Sequence, residues 1–441
     1  MRPDQWILAL TLAVAAAPAA SAETHEVPGD HPTLQAAVDA SGAGDTILIG
    51  AGVFHERLVV PAGKPGLRLR GKGRETVIDA HPVRSGGFGA ALTVGAAAVV
   101  IEDLTLRHAR SEAEIAAGHG LVVTAPDVRI IGVAALDCDE SGFLIEGASA
   151  RVDDCRAVGC RDGFEVLAAD VAIVSSSARG MASTAIYAEG DHLLVEDVDL
   201  HRSYGAVEVT GDHFTGIDCR VSSCTAGIDV TGDNAKILGN VVERYNDYAL
   251  RVTGTGFEIG KNDLRFGFDD GANGIRLHDG AAGLVFGNEI EASLAAGIKI
   301  HSDGVILRDN RVLRSGSPDA QAPSILVAGD DVILEQNKIK ESRGDGVVVL
   351  GLAARLSGNL IKGCVKDGVR VQVTGDGAVL DGNKIVKNGA EGIETSAQGV
   401  FVTDNVAKGN RLDVAATEPP LVFAGNLFLT GGPNTEPQIN D

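Results

Sequence analysis

Large rings are nearly missing from this chain. Only 4% of its 441 residues are aromatic, with one Trp and two Met, so small aliphatics must fill whatever core it has. Basic residues are short as well, 38 against 60 acidic, for a net charge of −22. Nucleic acid needs a basic face and is not an expected partner. Long hydrophobic runs are confined to the start, where "MRPDQWILALTLAVAAAPAASA" has Arg2, an apolar run from Trp6 to Ala17 and a small-residue end. That pattern predicts a secretory leader over residues 1–22, cut before Glu23. The run is too short to span a bilayer and no later segment is long enough, so an exported, soluble monomer is expected. Helical periodicity is lacking too, and cysteines spaced by 22 residues make no zinc pattern.

What the chain has in excess is glycine, 57 residues, and it recurs. Glycines precede short aliphatic runs at Gly120, Gly142, Gly163, Gly205, Gly227, Gly274, Gly297, Gly346, Gly368 and Gly392, in steps near 22 or its double. A second ladder runs in phase through Asn240, Asn262, Asn288, Asn310, Asn337, Asn359, Asn383, Asn405 and Asn426. Traced backwards, it lands on Cys219, Asp197, Ser176, Cys155, Val133 and Asp103. Runs such as "GVVVL" and "RLSGNLI" have strand length and end in turn residues. Units of 22 residues that stack strand on strand, about 4.8 Å apart, bury their apolar sides on each other. The expected fold is all-β, a parallel β-helix of 12–14 coils, with stacked Asn side chains bonding up and down one corner. Cys138, Cys160, Cys224 and Cys364 each follow a ladder position by five residues and read as buried thiols. Cys155 and Cys219 lie about 14 Å apart, too far to bridge; only Cys138 and Cys160 are within reach.

Ahead of the coils, "HPTLQAAVDASGAGDTILIGAGVFHERLVV" predicts a short helix through Leu34, Ala37 and Val38, then a strand, as a lid over unpaired strand edges. The organisation is a leader (1–22), an N-terminal cap (23–58), the solenoid (59–428) and a polar tail (429–441). Gly44-Asp45-Thr46-Ile47, Ala51-Gly52-Val53-Phe54 and Glu56 to Val60 resemble the N-terminal lead of right-handed parallel β-helix proteins of the pectate-lyase-like superfamily. The resemblance covers roughly residues 24–430. It implies a right-handed coil, and glycans lying across a strand face.

Alternate residues of a strand face outward. Two positions past each anchor glycine, one column reads Val122, Leu144, Glu165, Tyr187, Glu208, Asp229, Arg251, Arg276, Lys299, Leu326, Val348, Arg370 and Glu394. The next outward column holds Glu146, Glu189, Thr210, Thr231, Thr253, His278, His301 and Gln372. Charge spread for solubility does not need sorting by sign, because stacked like charges repel. The column is acidic in its middle, then basic with two histidines beside it. Elimination or epimerisation of a uronate polysaccharide needs cations against the carboxylate and a base for the acidified C–H. Arg276 and Lys299, with Arg251 as a further binding cation, fit the first need. His278 or His301, with Tyr187 more distant, fit the second. Glu165, Glu189, Glu208 and Asp229 would complete the substrate stripe. No cofactor is required, although Glu165, Glu208 and Asp229 could hold Ca²⁺. The Asp-Pro-His-Asp motif of the superfamily's alginate epimerases is absent.

Two alternatives remain. Polygalacturonases of the superfamily carry Asn-Thr-Asp, Asp-Asp, His-Gly and Arg-Ile-Lys; this chain has Tyr245-Asn246-Asp247, Asp269-Asp270 and Gly297-Ile298-Lys299, without the His-Gly step. Glu208 and Asp229, on neighbouring coils, are at a separation that suits a retaining hydrolase. A non-catalytic polysaccharide-binding or envelope protein is the other reading. The turns around Asp191, Asp212, Asp233 and Asp330 would form its acidic edge. The insertion "RHARSEAEIAAGHG", carrying His108, Arg110, Glu112, Glu114 and His119, with His81 and Arg84, could wall a cleft near the N-terminal end.

Overall fold

Alternation of period two drives this chain into strands of three residues. Leu92–Val94, Leu121–Val123, Phe143–Ile145 and Phe164–Val166 each bury their outer residues and turn the middle one outward. The computed structural model describes residues 22–81, 89–112, 117–280, 282–317, 322–417 and 422–429. Almost all of the expected leader and polar tail, and Arg84 and Glu114, lie outside them. Among the described residues the strands form three parallel sheets. Sheet I has 18 strands from Thr24–Val27 to Val422–Ala424. Sheet II has 17, from Gly52–Phe54 to Leu427–Leu429, and sheet III has 16, from Leu58–Val60 to Leu412–Ala416. The result is a parallel β-helix, right-handed by the crossover rule.

About 18 coils replace the 12–14 expected. Glycine and asparagine mark only part of the solenoid: the strands at Thr24, Thr46 and Arg68 carry neither marker, yet pair in register at a step of 22. The core is a stack of aliphatic columns. Ile47, Leu69, Ile101, Ile130 and Val152 sit one above the other, all fully buried, each worth about 1.5–3 kcal/mol of transfer free energy.

At the corner between sheets I and II the Asn ladder forms as the spacing predicts. From Asn240 to Asn426 each Nδ2 donates to the Oδ1 of the Asn one coil on, at 2.9–3.0 Å. That Oδ1 also accepts the backbone N–H of the same lower Asn, as from Asn310 to Asn337 at 3.0 Å. The residue before each rung turns left-handed, φ 54° at Asp218 and 56° at Asp309, a conformation Asp and Gly tolerate. Two early ladder assignments shift by one for this reason. Asp103 and Asp197 are the left-handed residues (φ 54° and 52°), and Leu104 and Val198, each 1% exposed, occupy the column. A buried column has no place for an unpaired carboxylate.

At another turn glycines let backbones touch. A Cβ on Gly232 would lie 2.0 Å from the Gly211 carbonyl, and one on Gly254 2.1 Å from that of Gly232. The Gly-Asp turns there are ladders as well: Asp191 Oδ1 accepts the N–H of Asp212, and Asp212 Oδ1 that of Asp233, both at 2.8 Å. Among the described residues one α-helix, Leu34–Ala40, lies between the first two strands of sheet I, N-capped by Thr33 and burying Leu34, Ala37 and Val38. All six cysteines are buried and free. Cys138 and Cys160 donate to the Leu136 and Val158 carbonyls at 3.6 and 3.7 Å, and burial pushes the Cys155 thiol up to about 12, which leaves it unreactive.

Candidate functional site

Sheet III carries the site. Strands Asn273–His278 and Ile298–Ile300 pair in register, Arg276 opposite Lys299. Their anchor glycines are needed because the corner is full: a Cβ on Gly274 would meet Gly297 O at 2.5 Å, and one on Gly297 the Val312 side chain at 2.5 Å. The full column from Val122 to Glu394 pairs rung by rung as its spacing predicts.

Over five coils this face sinks into a trough of about 560 Å³. Leu326, Val348 and Leu350 contribute its apolar surface, Arg276 and Lys299 line one end, and Arg370 and Gln372 the other, with Asp247, Asp270 and Asp345 alongside. Arg276 donates through Nε to Nε2 of His278, and its nearest carboxylate oxygen, on Asp247, is 3.9 Å away. Lys299 has no carboxylate within 4 Å among the described residues. Burial and then Arg276 hold its ammonium below the usual lysine value. His278 and His301 stack face to face, centroids 5.2 Å apart and planes at 9°. Both titrate below the ordinary imidazole value: burial is the main cause, followed by Arg276 for His278 and Lys299 for His301. A pair of neutral imidazoles beside two cations can take a proton from a carbon acidified by a neutralised carboxylate.

Other expected residues are placed elsewhere. Arg251 is committed to the protein: Nε donates to Asp229 Oδ1 at 2.7 Å, NH2 donates to Oδ2, and the guanidinium lies 4.6 Å over the Tyr248 ring. Asp229 does not face solvent; it is 6% exposed and also accepts from Tyr248 Oη at 3.0 Å. Tyr187 stands four rungs, about 19 Å, from Arg276; it donates to Glu189, which with burial pushes it up to about 12 and removes it as a base. Glu165 accepts from Ser141, and Tyr187 separates it from Glu208 in the column. With Asp229 already occupied, this donor set does not fit Ca²⁺, and no three of His, Cys, Asp or Glu converge as metal ligands among the described residues. The same pairing leaves Glu208 and Asp229 unsuited as a hydrolase pair. In the N-terminal insertion His108 binds Asp79 at 3.1 Å and Arg110 binds Asp139 at 2.8 Å.

Arg251→Ala should lower stability by about 2 kcal/mol, read as a fall in the urea midpoint. It strips a buried carboxylate of its cation, and the partly exposed guanidinium moderates the loss. An unchanged midpoint would mean that water replaces the guanidinium at no cost.

Sequence reasoning left Asp345 out of the site. Asp345 immediately precedes anchor Gly346, as Asp367 precedes Gly368, and such residues flank the strand. Arg370 is gripped by Asp367 (2.7 Å), Glu394 (2.6 Å) and Asp345 (3.3 Å), and burial raises the carboxyl of Asp345. An acid placed just before an anchor glycine was the available signal.

Solved structures with related coils include the DFA-IIIase of Arthrobacter chlorophenolicus A6 in complex with GF2 (15% identity, 68% of this chain, 96% of that one, TM-score 0.45). Others are the A-module of a mannuronan C-5 epimerase of Azotobacter vinelandii (14%, 93% and 100%, 0.34) and pectate lyase Pel9A (15%, 67% and 77%, 0.28). At these TM-scores and identities none of them bears on the chemistry of this chain. No curated protein matches it in sequence. Residues 167–312 and 273–432 match the family described as "Right handed beta helix region". Together these matches span more than half of the chain, which therefore belongs to the right-handed β-helix family.

Proposed function

We propose that the sheet III trough binds a uronate-containing polysaccharide and that the protein eliminates across, or epimerises, one of its uronate units. The observation that carries this reading is Lys299 and Arg276 on adjacent rungs, weakly neutralised or unneutralised, beside stacked imidazoles held neutral. The two cations would take the uronate carboxylate and acidify C5–H. His301, or His278 once the substrate draws Arg276 away, would receive the proton. In elimination the C5–H electron pair forms the C4=C5 bond as the C4–O bond breaks, and the leaving oxygen takes a proton from the imidazolium or from water. In epimerisation water on the opposite face supplies a proton to C5 and the imidazolium gives its own up to solvent. The leader expected over residues 1–22 would export the protein. Among the described residues no helix is long and apolar enough to cross a membrane. The short helix at the first coil is suited to shield its open edge, and a monomer suffices.

The test is a panel of acidic and neutral glycans, followed by ultraviolet absorbance for unsaturated uronate, by reducing ends and by stereochemistry. An unsaturated or inverted product supports the proposal. A second reading, hydrolysis, is favoured by Asp247 and Asp270 lining the same trough as Lys299, and would give reducing ends without absorbance. Binding with neither product would leave a non-catalytic glycan binder.

The pH profile is a sharper check. A base lowered below the usual imidazole pKa of about 6.5 stays neutral further into acid, so the acid limb should lie below that value. Removing the positive Lys299 raises the histidine pKa, so Lys299→Met should move the limb of its residual activity to higher pH. An unmoved limb would place the base elsewhere.

A further inference from the structure

A second charged surface lies around the corner from the trough, on the same coils. Sheet II strands Arg311–Leu313, Lys338–Lys340, Leu360–Lys362, Lys384–Val386 and Val406–Lys408 pair in order. Their two outward columns carry Arg311, Lys338, Lys340, Lys362, Lys384 and Lys408 and not one carboxylate. Four of these five lysines are exposed and Lys340 is half-buried. None of the five has an acidic partner within 4 Å among the described residues. Arg311 is paired, to Glu289 at 2.7 Å, as Arg220 is to Asp197 and Asp199 and Arg265 to Asp263 earlier in sheet II; the five lysines are not. Like charges on neighbouring rungs, about 5 Å apart, repel. In a chain of net charge −22 their collection on one wall is not needed for solubility.

We propose that this lysine face is a second binding surface for a linear polyanionic glycan, holding polymer alongside the trough. It rests on the acidic-polysaccharide reading above. The four rungs from Lys338–Lys340 to Val406–Lys408 each carry at least one of these unpaired lysines and run about 14 Å along the solenoid axis. That geometry matches an extended chain charged along its length, and a flat wall grips it through charge instead of enclosing one sugar. The face occupies the coils that build the trough, since each sheet III strand from Ile298–Ile300 to Glu391–Thr395 is followed, after one sheet I strand, by one of these sheet II strands. A polymer longer than the trough can therefore meet both surfaces, and a short oligomer only one.

The test compares wild type with Lys362→Gln/Lys384→Gln/Lys408→Gln, all exposed positions. Affinity for long polygalacturonate and alginate is measured by calorimetry at low and high salt, with turnover and binding of short oligouronides measured in parallel. The triple variant should bind long polymer about 10-fold more weakly at low salt and equally at high salt, because screening erases the contribution of exposed charges. Short oligouronides should be handled as by wild type, and the triple Arg variant should restore polymer affinity. Unchanged polymer affinity at low salt would overturn the proposal, as would equal loss on short oligomers, or binding to anionic phospholipid vesicles without binding to polymer. Failure of the trough reading is separate: it would show as no binding or turnover of short oligouronides by wild type, whatever the polymer does.

Discussion

Alanine at Asn337 should destabilise the protein by about 3–4 kcal/mol. The side chain is fully buried. Its Nδ2 donates to Leu307 O at 2.9 Å and to Asn359 Oδ1 at 3.0 Å, while its Oδ1 accepts the backbone N–H and the Nδ2 of Asn310, both at 3.0 Å. Truncation leaves the Asn310 N–H without a partner in a dry corner, at roughly 1–3 kcal/mol, and removes the remaining side-chain hydrogen bonds at about 1 kcal/mol each. Asn337→Ser should cost about half as much, since a hydroxyl can still accept that N–H. Ser176 does so natively, accepting the Cys155 N–H at 3.1 Å. Thermal and urea unfolding read the difference, and a loss under 1 kcal/mol for alanine would show that the ladder follows the turns instead of holding them.

The other large effect is on activity. Lys299→Ala should lower kcat/KM on the responsive glycan about 10²–10³-fold, the usual loss when one preorganised charge is removed from a developing anion. The melting temperature should change little, because Lys299 has no acidic partner to strand. His301→Ala should give a comparable loss. His278→Ala alone distinguishes the two imidazoles, since its Nε2 is held by Arg276. Retention of full activity by Lys299→Ala and Arg276→Ala together would remove the trough from consideration.

Much of this was legible in the letters. The rung pairing of Arg276 and Lys299 follows from their shared place two residues past the anchors Gly274 and Gly297, because a parallel solenoid turns sequence period into vertical contact. The coil count was not legible: Thr24, Thr46 and Arg68 share a register with no repeated residue to announce it. Nor was the fate of Asp229. Its column marks it as outward, yet Arg251 and Tyr248, one coil on, fold over it, and side-chain reach between rungs is invisible to spacing.

The chain by itself determined that coils stack, which residues share a wall, and which corner carries asparagine, because each is a matter of period and turn chemistry. Only the tertiary structure decided which charges neutralise each other and which stay free. Arg370 and Arg251 look like Lys299 in the column, but carboxylates from flanking positions and neighbouring rungs reach the two arginines and not the lysine. Those approaches depend on coil lengths that vary between 21 and 27 residues along the Asn ladder, and so on the shape of the wall as a whole.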